Sequence, residues 1–296
     1  MKDKIMMQAI KELAEQIQMP EAVIQQVGAA LEKLPPEALR PFVETLTGPR
    51  WTAGWTQLKT ELGEDSCGMK MLACMLWAAV YSREKYAQAG IFEPVFTDTM
   101  KCFTRFVREY KASHGCWGFD RDFWTGRQLS LQLFRLGELE YEKVIDKEER
   151  KVSIHIPSNA DLSPEKCRES IQLAEAFFKK YAPGFDGVPY ICESWLLSPA
   201  LKELLPKTSR ILRFQEMFEL YHVNWEDRSF MAWVFSRGDL PIQELPQNTS
   251  LQKRMKQYLM EGGLIGEAAG RLRPLPDAIF TDQEVKDGKP DKEPAK

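Results

Sequence analysis

The chain has 296 residues, enough for two domains with separate cores. Its formal net charge of -3, with no block of Lys or Arg, excludes a protein built to neutralise many phosphates, so no nucleic-acid partner is expected. The longest apolar stretch, residues 71 to 81, is too short to cross a bilayer, so no membrane association is expected either.

The six cysteines are scattered without a CxxC pair, and the three histidines stand far apart, so no structural metal is expected. The N-terminal segment is charged throughout and does not read as a signal peptide. Reduced thiols in a cytoplasmic protein are the expectation.

In chain order, residues 3 to 113 carry helical signals. KIMMQAIKELAEQI spaces Ile5, Ile10, Leu13 and Ile17 along one helix face, and Pro20 and Pro36 sit where first helical turns tolerate proline. Longer helices are predicted around 67 to 88 and 94 to 112, with Gly90 and Gly115 as stops. Their Met, Trp and Phe stripes read as core. HGCWGFDRDFWTGRQ, residues 114 to 128, interleaves Trp117, Phe119, Phe123 and Trp124 with Arg121, Asp122 and Arg127; it is a pocket floor or a seam where the helical part docks. A helix over about 122 to 135 follows.

After Gly137 the apolar period changes from helical to alternating. ELEYEKVID, the polar turn DKEER and KVSIHIP predict a hairpin over 138 to 156. A helix is predicted from Pro164 to Tyr181 with Ser163 as N-cap, then a strand over 190 to 197, which makes strand, helix and strand a right-handed parallel crossover. SPALKELLP reads as a short helix. FQEMFELYHV and FMAWVFSR read as a second hairpin around NWEDRS, and Thr249 with Gln252 opens a last helix with capping-box spacing. Residues 281 to 296 have the composition of a disordered tail.

The segments RLGELEYE, HIPSNADL, CESWLLSPAL, LPKTSRILRFQ and LPQNTSLQ resemble a bacterial family of two-domain GNAT-like acyltransferases, and the likeness covers most of residues 1 to 272. The resemblance implies an α+β chain. Residues 1-121 would be an all-helical N-terminal domain, 122-280 a GNAT-like α/β acyltransferase domain with a mixed, mostly antiparallel sheet, and 281-296 the tail. It implies N-acyl transfer from acetyl-CoA or another acyl-CoA to a small-molecule amine acceptor by direct attack, in a monomer or homodimer. The alternative is a GNAT-derived protein without catalysis that binds a small ligand or a partner.

Carried over by order, the resemblance places pantetheine along Ile154 and Ile156, and pyrophosphate on Ser158, Asn159, Asp161, Leu162 and Ser163 at a helix N-terminus, where the first N-H groups lack internal partners. The loop departs from the family's Q/RxxGxG/A pattern. It has no glycine, it carries Asp161, and Pro164 removes an N-H.

Acyl transfer to an amine needs a proton acceptor and donors facing the thioester oxygen. Glu193, on a strand between Ile191 and Trp195, is the first candidate base, expected to be desolvated, or else paired to an arginine such as Arg213. His155 is the second, since it points opposite to Ile154 and Ile156 next to the strand end. Cys192 could accept an acyl group but reads as core, while Tyr190, Tyr221 and Tyr258 are possible proton donors. His222 could face the same cavity.

Overall fold

The computed structural model describes residues 2–235 and 240–274, so the predicted tail from residue 281 lies outside the described residues. Six helices open the chain: α1 (Lys2–Gln16), α2 (Glu21–Leu31), α3 (Pro36–Thr45), α4 (Trp51–Leu62), α5 (Met69–Gln88) and α6 (Glu93–His114). Of these, α4 had no counterpart in the sequence reading. Helix α5 is buried nearly all round from Met71 to Ala79, and the others pack about it through narrower apolar faces.

Helix α7 (Asp122–Leu129) ends six residues before the predicted helix does. Leu131 takes a left-handed φ of 57°, and the chain then forms strand β1 (Leu133–Leu136). The hairpin that follows is as expected in kind: β2 (Leu139–Asp146) pairs with β3 (Glu149–His155), with Lys147 and Glu148 both at positive φ, as a tight two-residue hairpin turn demands. Gly137, at φ +68°, turns β1 into β2.

Helix α8 (Pro164–Tyr181) has the predicted bounds. Ser163 stands at its N-cap position, but its side chain makes no capping bond. Strand β4 (Tyr190–Ser194) stops early, because the Ser194 Oγ accepts from Leu196 N at 3.1 Å and winds Trp195–Leu197 into a 3-10 turn. Helices α9 (Leu201–Leu204) and α10 (Arg210–Glu216) follow, then β5 (Phe218–Asn224).

The second hairpin is not there. The first part of FQEMFELYHV belongs to α10, and Met231–Phe235 is a π-helical turn, so β5 finds its partner much later, in β6 (Glu267–Leu272). Helix α11 (Ser250–Met260) lies between, and its start carries the predicted capping box, with both Thr249 and Gln252 engaged.

The sheet order is β1-β2-β3-β4-β6-β5, with β3 and β4 parallel and every other pair antiparallel. One face of the sheet buries Tyr141, Ile154 and Cys192 against Phe177 and Phe178 of α8 and Phe214 of α10. The same apolar cluster continues into the helical part through Tyr86 and Phe103, so one core runs through both. Each such side chain contributes about 1.5–3 kcal/mol by leaving water.

Candidate active site

The two parallel strands separate. Among the described residues, β3 and β4 pair only at Val152–Tyr190 and Ser153–Ile191, although β3 runs on to His155 and β4 to Ser194. Strand β4 is held on its other side by β6 from Ile191 to Ser194. Beyond Ser153, backbone groups of Ile154, His155 and Ile156 therefore border a wedge, and unpaired strand edges are sites where an extended ligand can add hydrogen bonds.

At the end of β3 the loop to α8 is tied down by carboxylates of this chain. Ser158 Oγ donates to Glu109, Asp161 N donates to Glu138 Oε2 at 2.9 Å, and Ser163 N donates to Asp161 Oδ1 at 2.9 Å. Arg210 Nη1 also reaches Asp161 Oδ1 at 2.9 Å, and Arg135 Nη1 reaches Asn159 Oδ1 at 3.3 Å. The Ala160 amide is bonded to Pro157 O, and Leu162 is buried. The Ser163 amide, with the charge of Arg210 behind it, holds the Asp161 carboxyl below its usual range. Asp161 therefore takes the Ser163 amide at the N-cap and sets a negative charge beside this helix start.

The opposite face of β3 carries the titratable side chains. Partners in register point the same way, so Glu140, Glu142, Ser153, His155, Ile191 and Glu193 share the face turned from α8. His155 Nε2 lies 2.8 Å from Glu142 Oε2, and Arg127 Nε donates to Glu142 Oε1 at 3.0 Å. Burial alone would raise the Glu142 carboxyl, but the His155 hydrogen bond and the His155 and Arg127 charges hold it below the ordinary value. In the neutral ring a hydrogen bond to ionised Glu142 sets the one ring proton on Nε2 and leaves Nδ1 as the acceptor, and in the charged ring both nitrogens donate.

Two aromatic rings, Trp124 of α7 and Trp233 of the π-helical turn, meet beside this pair. Trp124 stands edge-on to the His155 ring at 4.9 Å, Arg127 stacks on Trp124 at 4.5 Å, and Trp233 meets Trp124 at 6.1 Å. Within residues 114 to 128, Phe119 packs on Phe103 in the core, as a seam requires, while Trp124 borders His155.

Glu193 faces the same side as His155 but is exposed, so the desolvation expected of it is absent; Arg213 pairs with Glu216 at 3.1 Å. The strand context misled because alternation along a strand sets which face a side chain takes and not what covers that face. Glu267, which sequence reasoning missed along with β6, stands on that face too, since Glu193 opposes Ala269 two residues on. Its carboxyl is raised to about 7 by burial first, then by the charges of Asp227 and Glu193.

Cys192 points into the core, where burial pushes its thiol far up and disfavours the thiolate that acyl capture needs. Tyr190 packs against Tyr141 and Phe178 on the α8 side, away from His155. Tyr221 and His222 are exposed on β5, and Tyr258 packs near Gly263 in a separate small cluster.

Comparison with known proteins gives two family matches. An N-acyltransferase N-terminal domain covers residues 8–131, and a GNAT-like C-terminal domain covers residues 133–272. Among solved structures, an acyltransferase in complex with decanoyl-CoA and teicoplanin is similar with a TM-score of 0.75 at 22% identity, over 88% of this chain and 86% of that one. An acyltransferase in complex with decanoyl-CoA gives 0.73 at 22% over 90% and 87%, and an acyltransferase mutant in complex with octanoyl-CoA gives 0.75 at 22% over the same shares. At that identity they share the fold. No curated protein matches the chain.

Proposed function

Since the chain belongs to the acyl-CoA-dependent N-acyltransferases that join an N-acyltransferase N-terminal domain to a GNAT-like C-terminal domain, we propose that it acylates an amine held beside His155. The observation that carries this reading is the hydrogen-bonded His155 and Glu142 pair at the mouth of the wedge between β3 and β4. The pantetheine arm lies along the free edge at Ile154 and Ile156, with the loop from Ser158 to Ser163 at its outer end. The acceptor ammonium first gives one proton to the neutral His155 at Nδ1, and the neutral nitrogen then attacks the thioester carbonyl carbon. The C–S bond breaks, and the departing thiolate takes up the second proton that the nitrogen releases as it becomes an amide. Glu142 keeps the ring oriented and stabilises its charged form, as a buried carboxylate does for a catalytic histidine. Glu193, exposed on the same face, draws the protonated acceptor toward the site.

The solved relatives hold octanoyl-CoA and decanoyl-CoA, so medium-length acyl chains are the donors to try beside acetyl-CoA, and amine-bearing glycopeptides of the teicoplanin kind are acceptors to try. The six free cysteines fit a reducing compartment such as the cytoplasm. The test is single-turnover acyl transfer in the wild type and His155→Ala. CoA binding should be kept while the transfer rate falls by about 10²–10⁴; an unchanged rate removes His155 from the role of base.

A further inference from the structure

We infer that the phosphates of the acyl-CoA donor are held by the guanidinium groups of Arg168, Arg213 and Arg273 and not by the backbone amides of the loop from Ser158 to Ser163. This rests on the acyl-CoA reading above and specifies how this chain meets the charged end of the donor.

The loop is an unfavourable cradle in its own chemistry. Among the loop's own donors, Ser158 Oγ is engaged by Glu109, the Asp161 amide by Glu138, the Ser163 amide by Asp161 and the Ala160 amide by a carbonyl, so the helix start offers an anion little beyond the first-turn amides of Glu165 and Lys166. Pro164 has no N–H to offer. A phosphate placed here would displace or confront three carboxylates, and like charges at contact distance repel.

Directly beside the loop, Pro164 forms one wall of a cavity of about 360 Å³ whose lining holds three arginines against one glutamate, Glu216. The arginines come from three different elements: Arg168 from the second turn of α8, Arg213 from α10 and Arg273 from the segment after β6. Arg273 Nε donates to the Phe218 carbonyl at 3.3 Å, which sets its guanidinium at the rim. Among the described residues, Arg168 and Arg213 pair with exposed neighbours on their own helices, Glu165 at 3.5 Å and Glu216 at 3.1 Å. Exposed pairs of that spacing are weak and exchange readily for a multivalent anion, and planar guanidinium forks match phosphate oxygens in pairs. Arg210, paired to Asp161, bridges loop and cavity on the same helix as Arg213. Three converging cations suit a ligand with several phosphates on one nucleotide, and the pantetheine arm, with amides to pair with a strand edge, can continue past Pro164 into the wedge.

The experiment is calorimetric titration of the full chain with CoA at several salt concentrations, in wild type, in Arg213→Ala/Arg273→Ala and in Ser158→Ala/Asn159→Ala. All four positions are exposed or on the rim, and Arg213→Lys/Arg273→Lys is run as a control that keeps charge without the fork. The arginine pair should lose about tenfold or more in affinity and show a shallower salt dependence, with partial recovery in the lysine pair. The loop pair should stay within about twofold of wild type. The opposite pattern, with the loop pair weakened and the arginine pair unchanged, overturns the inference and leaves the acyl-CoA reading standing. Absence of CoA binding by the wild type at millimolar concentration overturns that reading, and the inference with it.

Discussion

At the scale of single residues, His155, Glu142, Glu193 and Glu267 share one face of the sheet, and two of the carboxyls, Glu142 and Glu267, are moved in opposite directions by their neighbours. Glu267 yields a pH prediction with a definite sign. Its folded carboxyl is raised to about 7 by burial, Asp227 and Glu193, so the folded state binds the proton more tightly than the unfolded state does. Its ionisation therefore opposes folding: stability falls as pH rises from the ordinary carboxylate range to about 7, and the loss is complete above that. Glu267→Gln should unfold at higher denaturant than the wild type at pH 8 and match it near pH 4, and equal midpoints at both pH values would contradict this. His155 was readable from sequence because the strand ends at Pro157 and alternation sets the ring opposite Ile154 and Ile156. Its partner was not, because pairing Glu142 with His155 depends on the hairpin register, which two consecutive non-glycine residues at positive φ fix. Glu193 was found by strand alternation, but how much solvent it meets depends on what covers the sheet.

At the scale of elements, the crossover β3, α8, β4 builds the wedge, and one buried hydroxyl ties it to the rest of the sheet. Ser170 of α8 accepts from Leu139 N at 3.1 Å, lies 2.9 Å from Tyr141 OH and donates to Leu136 O. All these groups are buried at the β1-β2 turn, where a Cβ on Gly137 would stand 3.2 Å from the Ser170 Cβ. Ser170→Ala should cost about 2–4 kcal/mol in urea unfolding, because several buried polar groups lose a partner at once; a loss under about 0.5 kcal/mol would show that the hub is dispensable. Elements with strong local signals matched expectation: the hairpin by its alternation, α8 by Pro164 and its apolar face, and α11 by its capping box. Those that failed had signals that local rules cannot rank. EAAGRL has no β-branched residue and becomes a central strand only because β4 and β5 both present free edges to it, whereas the aromatic FMAWVF, which reads as a strand, is helical and buries Phe230, Met231 and Phe235 against Leu201 and Met255.

At the scale of the whole molecule, the helical part and the sheet share a core, and the contact is also polar. Arg105 of α6 reaches Glu140 of β2 at 2.9 Å, and the Glu140 side chain is only 3% exposed. Tyr86 of α5 packs on Phe134 of β1, and its hydroxyl donates to Gln128 O. Arg105→Ala should therefore destabilise the protein by about 3–5 kcal/mol, since it strands a buried carboxylate. The full chain should also melt in a single calorimetric transition with both parts together, and two resolved transitions would show that the shared core does not couple them. The sequence by itself determined the composition class, the change from helical to alternating period at Gly137, the crossover around α8 and the likeness to a two-domain acyltransferase, because each is written in local spacing or in contiguous motifs. Only the tertiary structure decided where β3 and β4 part, which carboxylate meets His155, that Asp161 pairs with Arg210 beside the helix start, and that three arginines from distant segments line one cavity next to it. Those facts depend on contacts between residues far apart in the chain, and spacing along a sequence carries no measure of such distances.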